Sequence, residues 1–136
     1  MALPPPIPNE SPAMRLPNQT EGLRFRLVLK PGFALGPGKA DLLEAIAETG
    51  SLAAAGARLG MSPKRVWGLV REMNTAFRDP LVETEKGGTG GGGSARLSEA
   101  GRTVLARYRA MEAEANAVIA AGVAELRGLM RADAAD

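Results

Sequence analysis

From Leu23 to Lys30 apolar and polar residues alternate, with Leu23, Phe25, Leu27 and Leu29 on one side and Arg24, Arg26, Val28 and Lys30 on the other. A period of two predicts a half-buried strand, and the turn residues Pro31, Gly32, Gly36, Pro37 and Gly38 end it. The period then lengthens to that of a helix. Leu42, Leu43, Ile46 and Ala47 form an apolar stripe on a helix from about Pro37 to Glu48, closed by Gly50, where a positive φ costs little. Ser51 is placed to cap a short second helix with Leu52, Ala55 and Leu59 on its inner side, and Gly60 and Met61 make the turn. Ser62 caps a third helix with Pro63 at its first position, where the missing N–H is no loss. Along this helix Val66, Val70, Met73 and Phe77 follow one another at steps of four, three and four and face inward, while Lys64, Gly68, Arg71 and Thr75 lie on the other side.

Two short strands follow, Leu81 to Glu85 and Ser94 to Leu97, joined by the glycine-rich stretch Gly87 to Gly93. A long helix is then expected from about Ser98 to Arg131. Its residues Val104, Tyr108, Met111, Ala115 and Val118 recur at steps of four, three, four and three. That is the spacing of a seam between helices and predicts dimerisation with the same helix of a second copy. Residues 1–20 hold six prolines among small and polar residues and are expected to be a disordered tail. Residues 21–97 then form one domain, 98–131 the dimerisation helix, and 132–136 a frayed end. The predicted fold class is mainly α with a small β wing: a winged helix-turn-helix with a long C-terminal helix.

Composition narrows the chemistry. The 136 residues include no cysteine and no histidine, which removes disulfides, thiol nucleophiles, most zinc sites and imidazole acid–base catalysis, so an enzyme is not expected. Hydrophobic residues are 45%, charged residues 24% and aromatic residues only 4%, so the core is aliphatic and alanine-rich, which favours closely packed helices. No apolar run reaches the roughly 20 residues of a membrane span and no basic-then-apolar leader opens the sequence, so a cytoplasmic protein is expected. The net charge of +2 is too small to identify a nucleic-acid partner, and position must decide.

The order helix, short helix, tight turn, helix, two-stranded wing is the arrangement that sets one helix in the major groove of double-stranded DNA. The helix that crosses behind must be small there, and Ala53, Ala54, Ala55, Gly56 and Ala57 meet that need. Ser62, Lys64, Arg65, Trp67, Gly68 and Arg71 are then the candidates for phosphates and base edges, with Lys86 and Arg96 at the two ends of the wing tip. Each feature has a plainer alternative. Lys64, Arg65 and Arg71 also suit the solvated face of any amphipathic helix, the large apolar area of Trp67 suits packing, and the small residues suit simple helix contact. Gly88, Gly90 and Gly93 satisfy the spacing G-x-G-x-x-G, but the strand before them is charged and no strand follows Leu97, so a parallel dinucleotide-binding sheet is not expected. A protein-interaction module that pairs with another regulator is the alternative function.

The residues Glu48-Thr49-Gly50-Ser51-Leu52, Ala57 to Gly60, Ser62, Lys64, Trp67, Glu72-Met73-Asn74, Leu81-Val82-Glu83 and the glycine run from Gly87 to Gly93 resemble the N-terminal DNA-binding domain of the ModE family of molybdate-responsive regulators. Leu97-Ser98-Glu99-Ala100-Gly101 resembles the LysR-type winged helix at the start of its linker helix. The likeness covers about residues 23–125. It implies a homodimer on a partly palindromic operator and control of genes for molybdenum transport and use. Molybdate in that family is held by separate C-terminal domains. This sequence stops after the long helix, so that usual binding domain is not expected here; molybdate is something only the resemblance implies, and no cofactor is assigned from the residues. Pro63 and Arg65 differ from the family's recognition helix, and its operator sequence does not carry over.

Overall fold

A computed structural model of the chain describes residues 21–86 and 93–132. The expected tail at 1–20, the glycines at 87–92 and the last residues, 133–136, lie outside the described residues. Eight elements follow in order: β1 (Leu27–Lys30), β2 (Phe33–Leu35), α1 (Pro37–Thr49), α2 (Leu52–Leu59), α3 (Pro63–Ala76), β3 (Val82–Glu85), β4 (Ser94–Leu97) and α4 (Glu99–Gly128).

The helix boundaries follow local chemistry. Ser51, Ser62 and Ser98 each accept a hydrogen bond from the backbone N–H three residues on, at Ala54, Arg65 and Gly101. Each bond satisfies an otherwise orphaned donor at a helix start and stabilises it by about 1 kcal/mol. Gly50 and Gly60 end α1 and α2 with φ of 72° and 70°, the left-handed region that glycine enters without strain.

The first strand departs from expectation. Only 27–30 is strand, and it turns back through Pro31 and Gly32 to pair antiparallel with β2. Leu27 faces Leu35, Val28 faces Ala34 and Lys30 faces Phe33, so Leu29 is an extra residue in a bulge. The bulge breaks the alternation and turns Leu29 to solvent, although the sequence places it on the inner face. Leu23 and Phe25 find their partners on α4 instead. The Leu23 N–H donates to Asn116 Oδ1 (2.8 Å), and the Phe25 carbonyl accepts from the Tyr108 hydroxyl (2.6 Å).

Leu42, Leu43 and Ile46 of α1 are fully buried at the centre of the core, with Val66, Val70 and Met73 of α3, Leu81, and Tyr108 of α4 around them. β3 and β4 pair antiparallel from Val82 and Leu97 out to Glu85 and Ser94, as expected for a wing stem. The stem is fixed to the helices at its base: the Ala95 N–H donates to the Gly50 carbonyl and the Ser98 N–H to the Leu81 carbonyl, both at 2.9 Å.

The first half of α4 is a wall of the subunit. Gly101 is buried so tightly that an added Cβ would stand 2.2 Å from the Leu81 carbonyl oxygen. Tyr108 is 0% exposed and packs edge-on against Phe25. Arg109 bridges Asp41 and Glu44 of α1 at 2.9 Å each and Glu112 of its own helix at 3.0 Å, while Arg24 takes the other Asp41 oxygen at 3.1 Å. Burial disfavours the Arg109 charge, but the hydrogen bonds to Asp41 and Glu112 and the nearby Glu44 outweigh it and hold the pKa above the ordinary guanidinium value. The expected dimer seam is therefore corrected at its start: Val104 and Tyr108 pack into their own subunit's core and leave little or no surface for a partner. Met111 and Ala115 are half-buried, and Val118 is 82% exposed.

Candidate nucleic-acid interface

The interface is built on the crossing of α2 and α3. Gly56 is the residue that permits it: a Cβ there would lie 2.8 Å from Val66 Cγ2 and 3.1 Å from the Met61 carbonyl oxygen. Of the five small residues singled out in α2, Ala55 and Gly56 are buried at the crossing, and Ala53, Ala54 and Ala57 face solvent. With α2 held close behind it, α3 buries Val66, Val70 and Met73, partly covers Leu69, Asn74 and Ala76, and leaves its other side outside.

Ser62, Lys64, Arg65, Trp67, Gly68 and Arg71 are all exposed. Lys64, Gly68, Arg71 and Thr75 run along one stripe, and about 10 Å of helix separates Lys64 from Arg71 at 1.5 Å per residue. Among the described residues no carboxylate comes within ion-pair distance of Lys64, Arg65 or Arg71. Trp67, whose apolar bulk suits packing, is 48% exposed and stands beside the cationic stripe.

The wing is fastened to α3 by Asn74. Its Oδ1 accepts from the N–H groups of Leu81 (2.8 Å) and Val82 (3.0 Å), and its Nδ2 donates to the Val82 carbonyl (3.0 Å). Three bonds from one amide lock the start of β3 to the helix that carries the cations. Nothing in the periodicity marks Asn74 for this task beyond its being a poor helix former inside a helix. Ser98 adds a second fastening, donating to the Pro80 carbonyl at 2.6 Å while it caps α4.

The two wing cations differ. Lys86 is exposed at the end of β3. Arg96 instead meets Glu83 at 3.0 Å and Glu85 at 3.2 Å across the strands, and their hydrogen bonds and charges raise its pKa. Two carboxylates balance this charge, so the described stem of the wing is not the cationic arm that the sequence suggests. The described residues hold no group of acidic side chains that could bind a metal ion, and no described helix is long and apolar enough to cross a membrane.

Residues 39–102, from α1 to the start of α4, match the family of bacterial regulatory helix-turn-helix proteins of the lysR type. The chain is 41% identical over 78 residues to the molybdenum-pterin-binding protein MopA of Rhodobacter capsulatus, covering 57% of this chain and 29% of that protein. It is 38% identical over 91 residues to the molybdenum transport protein ModE of Azotobacter vinelandii, covering 67% of this chain and 33% of that one. It is 36% identical over 72 residues to the DNA-binding transcriptional dual regulator ModE of Escherichia coli K12, covering 53% and 27%. The chain thus spans about a third or less of the length of these relatives. Residues 39–102, which run from α1 to the start of α4, are thus similar both to the lysR-type helix-turn-helix family and to the part of the ModE and MopA proteins that the chain matches.

Proposed function

We propose that the protein is a cytoplasmic DNA-binding transcriptional regulator of the ModE type, linked to molybdenum metabolism, that acts as a homodimer on a partly palindromic operator. The observation that carries this reading is the cationic side of α3, where Lys64, Arg65 and Arg71 stand in solvent with no ion-pair partner among the described residues, on a helix that Gly56 seats close to its scaffold. In this reading α3 enters the major groove from its N-terminal end. Ser62, Lys64, Arg65 and Gly68 meet base edges and phosphates, Trp67 and Arg71 flank them, and Lys86 reaches the backbone from the wing. Arg96 has a lesser part, because Glu83 and Glu85 hold it.

The partner surface for a second copy lies on the second half of α4. Val118, Ile119, Leu126, Leu129 and Met130 are exposed there, and Ile119, Gly122, Leu126 and Leu129 recur at steps of three, four and three, with Ile119 and Leu126 one position on from the register of the expected seam.

Replacing Lys64 and Arg65 together with alanine tests the DNA reading in a gel-shift titration. A bidentate base contact is worth about 1–3 kcal/mol, so at about 1.4 kcal/mol per decade the pair of substitutions is expected to weaken operator binding by 10-fold or more, with unchanged helical circular dichroism. Unchanged affinity overturns the proposal.

A further inference from the structure

A groove of about 430 Å³ runs between the β1–β2 turn and the solvent side of α3. Water occupies about 30 Å³ in the liquid, so the groove has room for a sugar–phosphate unit. Lys30 and Gly32 line one wall, and Gly68, Arg71, Glu72 and Thr75 the other. Both walls are fixed. Phe33 of the hairpin packs edge-on against Phe77 at 5.5 Å, and Lys39 of α1 lies over the Phe33 ring while its ammonium meets Glu72 at 3.4 Å. The Glu72 charge is thereby balanced, whereas Lys30 and Arg71 have no carboxylate within ion-pair distance among the described residues. The groove floor is low, because Gly68 has no side chain and a Cβ added there would meet nothing within 4 Å.

We propose that this groove holds the DNA backbone, with a phosphate of the strand bordering α3 taken between Lys30 and Arg71 and the Thr75 hydroxyl as a neutral donor. The inference rests on the DNA-binding reading and adds a second flank to it. On a helix of 3.6 residues per turn, Glu72 and Ala76 beside the hairpin lie roughly opposite Asn74, which holds the wing, so the two hairpins clasp α3 from its two sides. The Pro31-Gly32 turn, with Gly32 at φ 90°, has no side chain at its apex residue and lets a phosphate backbone come close. A free oxyanion is a poorer occupant: the groove is open along its length, and no polar or charged residue among those described is buried, whereas capture of a small anion calls for enclosed donors.

The test is fluorescence anisotropy of the full chain on a labelled random-sequence duplex across a salt series, for the wild type, Lys30→Ala and Lys30→Arg. A phosphate contact is read as salt dependence, so Lys30→Ala is expected to weaken binding by a similar factor on any sequence and to make the log–log slope shallower by about 0.9. Lys30→Arg is expected to keep the wild-type slope. Lys30 is exposed, so the fold is not at stake. A wild-type slope and affinity in Lys30→Ala overturns the inference and leaves the DNA reading standing, while a wild-type chain that binds no duplex at low salt overturns both.

Discussion

The two halves of α4 belong to one helix but differ in how much of their own subunit covers them. From Glu99 to Glu112 the helix is bound to its own subunit by the Gly101 contact, the Tyr108 hydrogen bond and the Arg109 ion pairs. From Ala113 onward most of its residues face solvent, Gly122 has open space where Gly101 has none, and Leu126 is 66% exposed. A run of apolar residues at steps of four and three says that a helix has a partner. Whether the partner is its own domain or another chain is decided by what folds back against it.

The largest effect is expected at the seam proposed for a second copy on the second half. Leu126→Lys puts a charge into the proposed seam and is expected to raise the dimer dissociation constant on the order of 100-fold, about 3 kcal/mol, with each subunit still folded. Light scattering over a concentration series measures it, and an unchanged dimer would move the seam elsewhere. In the first half, Gly101→Ala is expected to lower subunit stability by about 1–3 kcal/mol in denaturant melts. The clash with the Leu81 carbonyl is with backbone and exceeds the roughly 1 kcal/mol of helix propensity gained. A neutral result there would break the contrast between the two glycines.

The smallest effect belongs to Tyr108→Phe, which removes the bond to the Phe25 carbonyl and is expected to cost about 1 kcal/mol at neutral pH. The tyrosine pKa is raised in the folded chain, by burial first and the nearby Glu112 second. The stabilisation is therefore fully present below the ordinary tyrosine value of about 10 and is lost as pH rises through the folded value. The chain has a single tyrosine, so its tyrosinate absorbance reports this group alone. An onset of ionisation below the free-tyrosine value would contradict the buried hydroxyl.

Much of this fold was legible from local signals, because a serine cap, a glycine at a helix end or a proline at a first helical position acts within a few residues of itself. Thus α1, α2, α3 and the wing strands stand within a residue or two of where the pattern puts them. The exposure of Lys64, Arg65 and Arg71 was legible for the same reason. What escaped depends on distant partners. The three residues of β2 are too few to show a period, and the bulge at Leu29 exists only because β2 pairs across it. Tyr108 fits a seam by spacing, yet Phe25, 83 positions away, claims it. Arg96 counts as a cation until Glu83 and Glu85 appear opposite it in the register of the wing. Asn74 looks like a misplaced polar residue until the backbone of Leu81 and Val82 is laid beside it.

For the proposed homodimer, the fastening of the early turns of α4 to the body has a consequence for how far apart two operator half-sites would lie. A helix held rigidly at one end and joined to its twin at the other is a ruler, and each residue between the two adds about 1.5 Å of length and 100° of rotation. Sliding the join by seven residues would displace each recognition helix by about 10 Å, close to a third of the roughly 34 Å that separates successive major-groove faces. In the proposed dimer, half-site spacing would be set by the stretch from Glu112 to Ile119, which lies apart from the residues proposed to contact DNA.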